Sequence, residues 1–163
     1  MQTVKAILMA VRLSRDETRA RALEIAQGWI GTPYRHQASR KGVGCDCLGL
    51  LIGIWRELYG QMAPVRLTYS PDWAETSSGE PLLEALRARC GELHLSEMRP
   101  GDILAFRWQA GSAAKHLALM ASENRIIHAY EGHAVTVSAF VPSWRRRVAG
   151  VFAFPATIVP SLQ

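Results

Sequence analysis

Cysteine is scarce in this chain, which carries three, at positions 45, 47 and 90 of 163. An odd set, in a chain long enough to bury a core of its own, excludes a disulfide framework as the basis of the fold. It points to a reduced compartment, or to an assembly loaded from one. Long apolar runs are lacking too. The longest, "AILMAV" near the start and "LGLLIGIW" further on, fall well short of the roughly 20 residues of a membrane span, so no membrane-spanning segment is expected. The first run is also too short, and too closely followed by Arg12, for the core of a secretory signal. Synthesis in the cytoplasm without a signal peptide is expected. There are no internal repeats or low-complexity segments, and the length suits one domain rather than two.

What is present is a basic excess, with a formal charge of +5 and a pI near 9.5. Such a balance suits anionic surroundings: nucleic acid, a cell wall or an acidic partner. The one dense basic cluster, Arg145 to Arg147, is short and has no interleaved aromatic stacking pattern, so a nucleic-acid partner is not expected.

The order of elements can be read from capping and periodicity. Ser14-Arg15-Asp16-Glu17 has the spacing of a capping box and opens a helix over about 15–30, with Gly31 and Pro33 as the stop. Residues 31–46 hold three glycines and a proline and read as loop. A second helix begins near Asp46 or Cys47 and ends at Gly60. It is apolar nearly all the way round, as a central helix is. Prolines and serines mark an irregular crossing at 61–79, and Pro81 starts a short third helix over about 81–90. After "RPGD" at 99–102 the pattern changes to "ILAFRW", "HLALMA", "RIIHAY", "AVTVSAF" and "VAGVFAF", which read as antiparallel strands. Helices first and strands later predict an α+β domain, its N-terminal helices packed on one side of a C-terminal antiparallel sheet. The whole, 1–163, divides into an N-terminal arm at 1–13, helices at 14–60, a connector with a short helix at 61–98, and the sheet at 99–157.

Three residues in this arrangement could do chemistry together. Cys47 falls in the first turn of the second helix, where unpaired amides and the helix dipole favour a thiolate. A nucleophilic thiol needs a base, and the base needs an orienter. His116 and His128 flank a short hairpin. If Ser122-Glu123-Asn124 form a three-residue loop with Asn124 left-handed, Ala121 pairs with Arg125 and the two histidines share a face as diagonal neighbours, roughly 7 to 8 Å apart between backbones. A two-residue loop would set them on opposite faces. A zinc site from Cys47, His116 and His128 is the alternative, but Cys45 and Cys47 are separated by one residue rather than two to four, and no second close-spaced ligand pair exists. No metal or cofactor is expected. His36, in the loop before Cys47, could touch a substrate, while His94 and His133 fall in a connector and a turn.

"WIGTPYRHQ" at 29–37, "CDCLGLL" at 45–51, "RPGDILAF" at 99–106 and the paired histidines of "HLALMASENRIIHA" together resemble the NlpC family of bacterial and phage cell-wall cysteine peptidases, compact relatives of the papain fold. The resemblance covers roughly residues 18 to 155. It is nearest to the phage-tail and gene-transfer-agent branch, which carries an insertion like 61–98 and a "YSPDW"-like stretch. It implies Cys47 as nucleophile, His116 as general base and acid, and His128 as the polar residue orienting the imidazole. It also implies substrate roles for Tyr34, beside the nucleophile, and for Asp46, which could contact a substrate amine. The implied reaction is hydrolysis of the D-γ-glutamyl bond to a diamino acid in peptidoglycan stem peptides, by a protein incorporated into a phage-like tail beside other tail or baseplate proteins. Two departures bear on the substrate: His36-Gln37-Ala38 stand where many members have Trp-Gly-Gly, and Leu48 where a serine often follows the nucleophile. Two rivals follow from the same residues: a structural or adaptor tail protein that keeps the fold unused, and a papain-like amidase or acyltransferase on another substrate.

Overall fold

The computed structural model describes residues 10–60, 79–156 and 158–160. Strand β1 (Ala10–Arg12) leads into helix α1 (Arg15–Gly28) through the expected capping box. The Ser14 hydroxyl accepts from the Glu17 amide at 3.2 Å, and the Glu17 carboxylate accepts from the Ser14 amide at 2.7 Å. These contacts satisfy two amides that a helix start otherwise leaves unpaired. Ala22, Ile25 and Ala26, with Trp29 just beyond the helix, form its buried face.

Residues 31–46, expected as loop, contain a small ribbon of β2 (Ser39–Arg40) and β3 (Gly44–Cys45). Strands of two residues are too short to leave a period in the sequence. The Arg35 amide donates to the Cys45 carbonyl and the Cys45 amide to the Pro33 carbonyl, both at 3.0 Å, which lays Tyr34 alongside the approach to Cys47. Helix α2 (Cys47–Tyr59) follows, N-capped by Asp46 and closed by Gly60 at a φ of 66°. Its first half presses so tightly on its surroundings that two positions admit no side chain. A Cβ at Gly49 would lie 1.8 Å from the Ala38 carbonyl oxygen, and one at Gly53 would lie 2.1 Å from the Trp29 indole.

Helix α3 (Pro81–Arg87) starts at its proline, and Gly91 opens strand β4 (Gly91–Leu93). Then come β5 (Ile103–Phe106), β6 (His116–Ser122), β7 (Arg125–His128), β8 (Thr136–Ala139), the short helix α4 (Pro142–Arg145) and β9 (Val148–Ala153). They form a six-stranded antiparallel sheet in the order β4-β9-β5-β6-β7-β8. The α+β architecture is the one expected, with two additions. The connector supplies an edge strand, β4, and β1, from the stretch read as an arm, pairs with β10 (Ile158–Pro160). The "YSPDW" stretch and the rest of 61–78 lie outside the described residues.

Alternation along the strands separates two cores. Ile103, Ala105, Leu117, Leu119, Ile127 and Phe152 pack with α1, α2 and α3. Leu104, Phe106, Ala118, Met120, Ile126 and Val151 pack on the other face with Phe140 and Trp144. The helices are tied to the sheet by a buried ion pair at the "PGD" turn. Arg19 on α1 donates from Nε and Nη2 to the two carboxylate oxygens of Asp102, at 2.8 and 3.0 Å. Gly101, at a φ of 95°, brings this turn so close that a Cβ there would lie 2.4 Å from the Arg19 carbonyl oxygen. No helix among the described residues is long and apolar enough to cross a membrane.

The hairpin between β6 and β7 reaches the expected register by another route. Ser122 pairs with Arg125, so the loop is the two residues Glu123 and Asn124, and Asn124 does not adopt a left-handed φ. Met120 nevertheless pairs with Ile126, because one extra residue, Ala121, is taken up in a bulge. A bulge sets two residues against one and so restores the face that the short loop would have reversed.

Candidate active site

Cys47 enters the site from the first turn of α2. Asp46, just before it, is 2 % exposed, and its two carboxylate oxygens accept from the Gly49 and Gln37 amides, each at 2.7 Å. That is N-cap chemistry with a second use: the same carboxylate fixes the 35–39 loop against the helix start. His36 Nδ1 stands 3.8 Å from Asp46 Oδ2. Gln37 holds the positive φ of 59° that this loop requires. Cys45, two residues before Cys47, is fully buried in the helix-side core.

His116 begins β6, level with Phe106 on β5, and His128 ends β7. Their rings meet, with His116 Nε2 2.9 Å from His128 Nδ1, and His128 Nε2 lies 2.8 Å from Ser138 Oγ on β8. The two facing nitrogens share a hydrogen bond and so do not converge as a pair of zinc ligands. The tautomer that makes His116 a base has its Nε2–H donating to His128 and His128 Nε2–H donating to Ser138, which leaves Nδ1 of His116 to accept a proton.

Cys47 and His116 line one cleft of about 490 Å³, together with Tyr34, His36, Asp46, Trp108, Lys115, Ala129, Tyr130 and Glu131. All six residues singled out in the sequence are thus brought to one place: five border the cleft and His128 stands directly behind His116. Burial sets the charge state of its reactive groups. It pushes the Cys47 thiol up to about 12, with the Asp46 carboxylate adding to the rise and main-chain hydrogen bonds from Leu117, Leu48 and Cys47 itself opposing it. Burial likewise pushes the His116 imidazole down to about 3, with His128 adding, and His128 down to about 4, with His133 adding. Tyr34 rises to about 12, first through burial and then through Cys47 and Asp46. Desolvation therefore favours a neutral thiol beside a neutral imidazole, against the helix-start amides that favour a thiolate.

The aromatic surroundings of the histidines were not singled out in the sequence. Trp108 stacks on His116, with centroids 5.3 Å apart and planes 26° from parallel, and Trp144 stands 5.8 Å from His116 and 5.4 Å from His128. Tyr130 completes this wall at 6.0 Å from His116. Trp144 lies beside the Arg145–Arg147 run, and no sequence spacing ties it to His116 or His128. Ser138 was missed because nothing in "AVTVSAF" tells which strand it will pair with.

The profile of the NlpC/P60 family matches residues 31–152. The chain belongs to the NlpC/P60 family. Among curated relatives, it is 28 % identical over 132 residues to the murein DD-endopeptidase MepS/murein LD-carboxypeptidase of Escherichia coli K12, covering 80 % of this chain and 60 % of that protein. It is 23 % identical over 154 residues to the gamma-DL-glutamyl hydrolase of Bacillus subtilis 168, covering 93 % of this chain and 33 % of that one. The chain thus spans less than two thirds of the length of these relatives. In fold it is similar to an NLP/P60-family lipoprotein-like protein of Staphylococcus aureus Mu50, with a TM-score of 0.60, 20 % identity, and 89 % of this chain and 43 % of that one covered. It is also similar to the NlpC/p60 domain of the peptidoglycan hydrolase SagA, with a TM-score of 0.54, 22 % identity, and 84 % and 97 % covered.

Proposed function

We propose that this protein is a cysteine peptidase that hydrolyses amide bonds in the peptide stems of peptidoglycan. The observation that carries the proposal is the run Cys47, His116, His128 and Ser138, which begins in an open cleft and continues inward through hydrogen bonds of 2.9 and 2.8 Å. The relatives named for murein and γ-glutamyl hydrolysis support the substrate class.

Each step has a group to perform it. His116 Nδ1 takes the Cys47 proton, and the sulfur attacks the substrate carbonyl carbon. Amides at the start of α2 face the charge that develops on the carbonyl oxygen. His116 returns the proton to the leaving amine, and a water molecule then gives its proton to His116 and cleaves the thioester. His128 accepts from the His116 Nε2–H, which anchors that end of the ring while it is charged. Tyr34, Asp46 and His36 border the cleft where the flanking substrate groups would lie.

Within this class, the bond we assign is D-γ-glutamyl to diamino acid, and the setting is a phage-like tail that opens the wall locally, as the sequence resemblance implies. Similarity to the Escherichia coli murein DD-endopeptidase favours a second reading, cleavage of a DD cross-link. Digestion of purified sacculi by wild type, Cys47→Ala and His116→Ala, followed by mass spectrometry, tests both. Fragments ending in D-glutamate, from wild type alone, support the first bond. Loss of cross-linked dimers without such ends supports the second. No product from any of the three overturns the proposal.

A further inference from the structure

We infer that Trp108 is a positioning residue for His116: its indole face fixes the plane of the imidazole and stabilises the ring in the protonated form it takes on receiving the Cys47 proton. The inference rests on the base role proposed above and adds a residue to it.

Among the described residues, four Phe, Tyr and Trp rings surround His116 besides its partner imidazole His128, and they do not stand in the same relation to it. Phe106, Tyr130 and Trp144 lie at 6.0, 6.0 and 5.8 Å with their planes inclined by 38°, 89° and 46°. Trp108 is the nearest, at 5.3 Å, and at 26° it is the one stacked face to face. The other positions on His116 are fixed independently. Its backbone is held in β6, opposite Phe106, and its Nε2 by His128. A backbone anchor and one hydrogen bond still leave the ring free to rock about the axis through them. A flat surface against the ring face removes that freedom.

The same surface meets an electrostatic need. His116 is buried, so charging it costs solvation, and the shell around it offers few compensations. Its Nε2 partner is another imidazole, not a carboxylate as in a Ser-His-Asp arrangement, and a neutral partner stabilises imidazolium less than an anion would. Indole is the most favourable aromatic face for a cation, and a centroid within about 6 Å is close enough for the attraction to act. Trp108 also contacts a permanent cation, Arg147, whose guanidinium carbon lies 5.8 Å from the ring centroid. Both Trp108 and Lys115 border the cleft, but Trp108 reaches His116 through the ring, so its effect should pass through the imidazole and depend on it.

That dependence is measurable without any assumption about substrate. The rate at which chloroacetamide alkylates Cys47 at neutral pH reports how readily the thiol gives its proton to His116. Cys45→Ala and Cys90→Ala in the background leave Cys47 as the thiol that reacts. Trp108→Leu is expected to slow alkylation about two- to thirtyfold, the span of one cation–π contact from exposed to desolvated, and Trp108→Phe to slow it less. In a His116→Ala background the same Trp108→Leu change is expected to have no effect, since the two residues act as one unit. Equal slowing in both backgrounds, or none in either, would overturn the inference, as would Trp108→Phe falling as far as Trp108→Leu. If His116→Ala itself leaves the alkylation rate unchanged, the base role of His116 fails and the inference with it. Failure of sacculus digestion alone would leave this result standing. Circular dichroism melts of each variant verify that the fold is intact, and the Phe variant supplies the comparison if the Leu variant does not fold.

Discussion

Arg19 and Asp102, 83 positions apart in the chain, form a two-pronged ion pair beneath the point where α1 meets the start of β5, with the Asp102 side chain wholly out of solvent. A buried pair of this kind is weak evidence of net stabilisation, but removing one partner strands the other charge. Asp102→Ala is expected to cost about 3–5 kcal/mol in urea unfolding, and the paired replacement Arg19→Met with Asp102→Leu to recover a good part of it. An Asp102→Ala protein as stable as wild type would show that water reaches the guanidinium.

Gly49 should tolerate no substitution. Alanine there would force either the first turn of α2 or the Ala38 carbonyl to move, against a separation of 1.8 Å. Since Asp46 ties the same loop to the same turn, Gly49→Ala is expected to cost roughly 3 kcal/mol or more, at the upper end of overpacking penalties, and to slow Cys47 alkylation. Gly91→Ala, where a Cβ meets nothing within 4 Å, is the control.

The members of the relay should differ in how much activity they carry. Cys47→Ala is expected to lower stem-peptide turnover by about 10³-fold or more with the melting temperature nearly unchanged. His128→Ala should cost about 10²-fold in kcat, and Ser138→Ala about fivefold, the worth of a single hydrogen bond near 1 kcal/mol. A Ser138→Ala effect as large as that of His128→Ala would mean that the hydroxyl sets the tautomer rather than supporting it.

Stability should fall with acid because of the same two imidazoles. Both are held below their ordinary value of 6.5, down to about 3 and about 4, by burial in the folded state. As pH drops below about 6.5 the unfolded chain binds these protons and the folded chain does not, so stability present at pH 7 is lost progressively toward pH 4. The slope is up to about 1.4 kcal/mol per pH unit for each histidine. Urea unfolding between pH 7 and 4 gives the slope for wild type, and His128→Asn should flatten it. An unchanged slope in that variant would place the acid sensitivity elsewhere.

Much of this site is legible in the amino-acid sequence. Ser14 with Glu17, Gly60 and Pro81 are local signals whose chemistry acts within one turn, and they locate α1, α2 and α3 to within a few residues. Cys47 can be placed at a helix start because that signal is also local; His116 and His128 do share a strand face, but through the bulge at Ala121 and not through the three-residue loop that the sequence suggested. What escapes are relations between distant segments. Ser138 depends on which strand lies beside β7, and β1 on a partner near the far end of the chain. Trp108, just after β5, and Trp144, on α4, meet each other at 5.5 Å as well as His116, and no spacing rule links positions 108, 116 and 144. Burial depends on the whole packing. The helix-start amides that favour a thiolate at Cys47 are therefore visible in the sequence, while the desolvation that opposes them is not.

The bulge at Ala121 makes the shared face of the two histidines a matter of one residue's placement. Neighbouring side chains on a strand point to opposite faces, so the same chain with Ala121 drawn into regular pairing would set Met120 against Ile127 and send His116 and His128 to different sides. Deleting Ala121 outright would instead leave Met120 against Ile126 and Ser122 against Arg125, so the hairpin can lose its extra residue and keep the pair, but cannot keep the residue and lose the bulge.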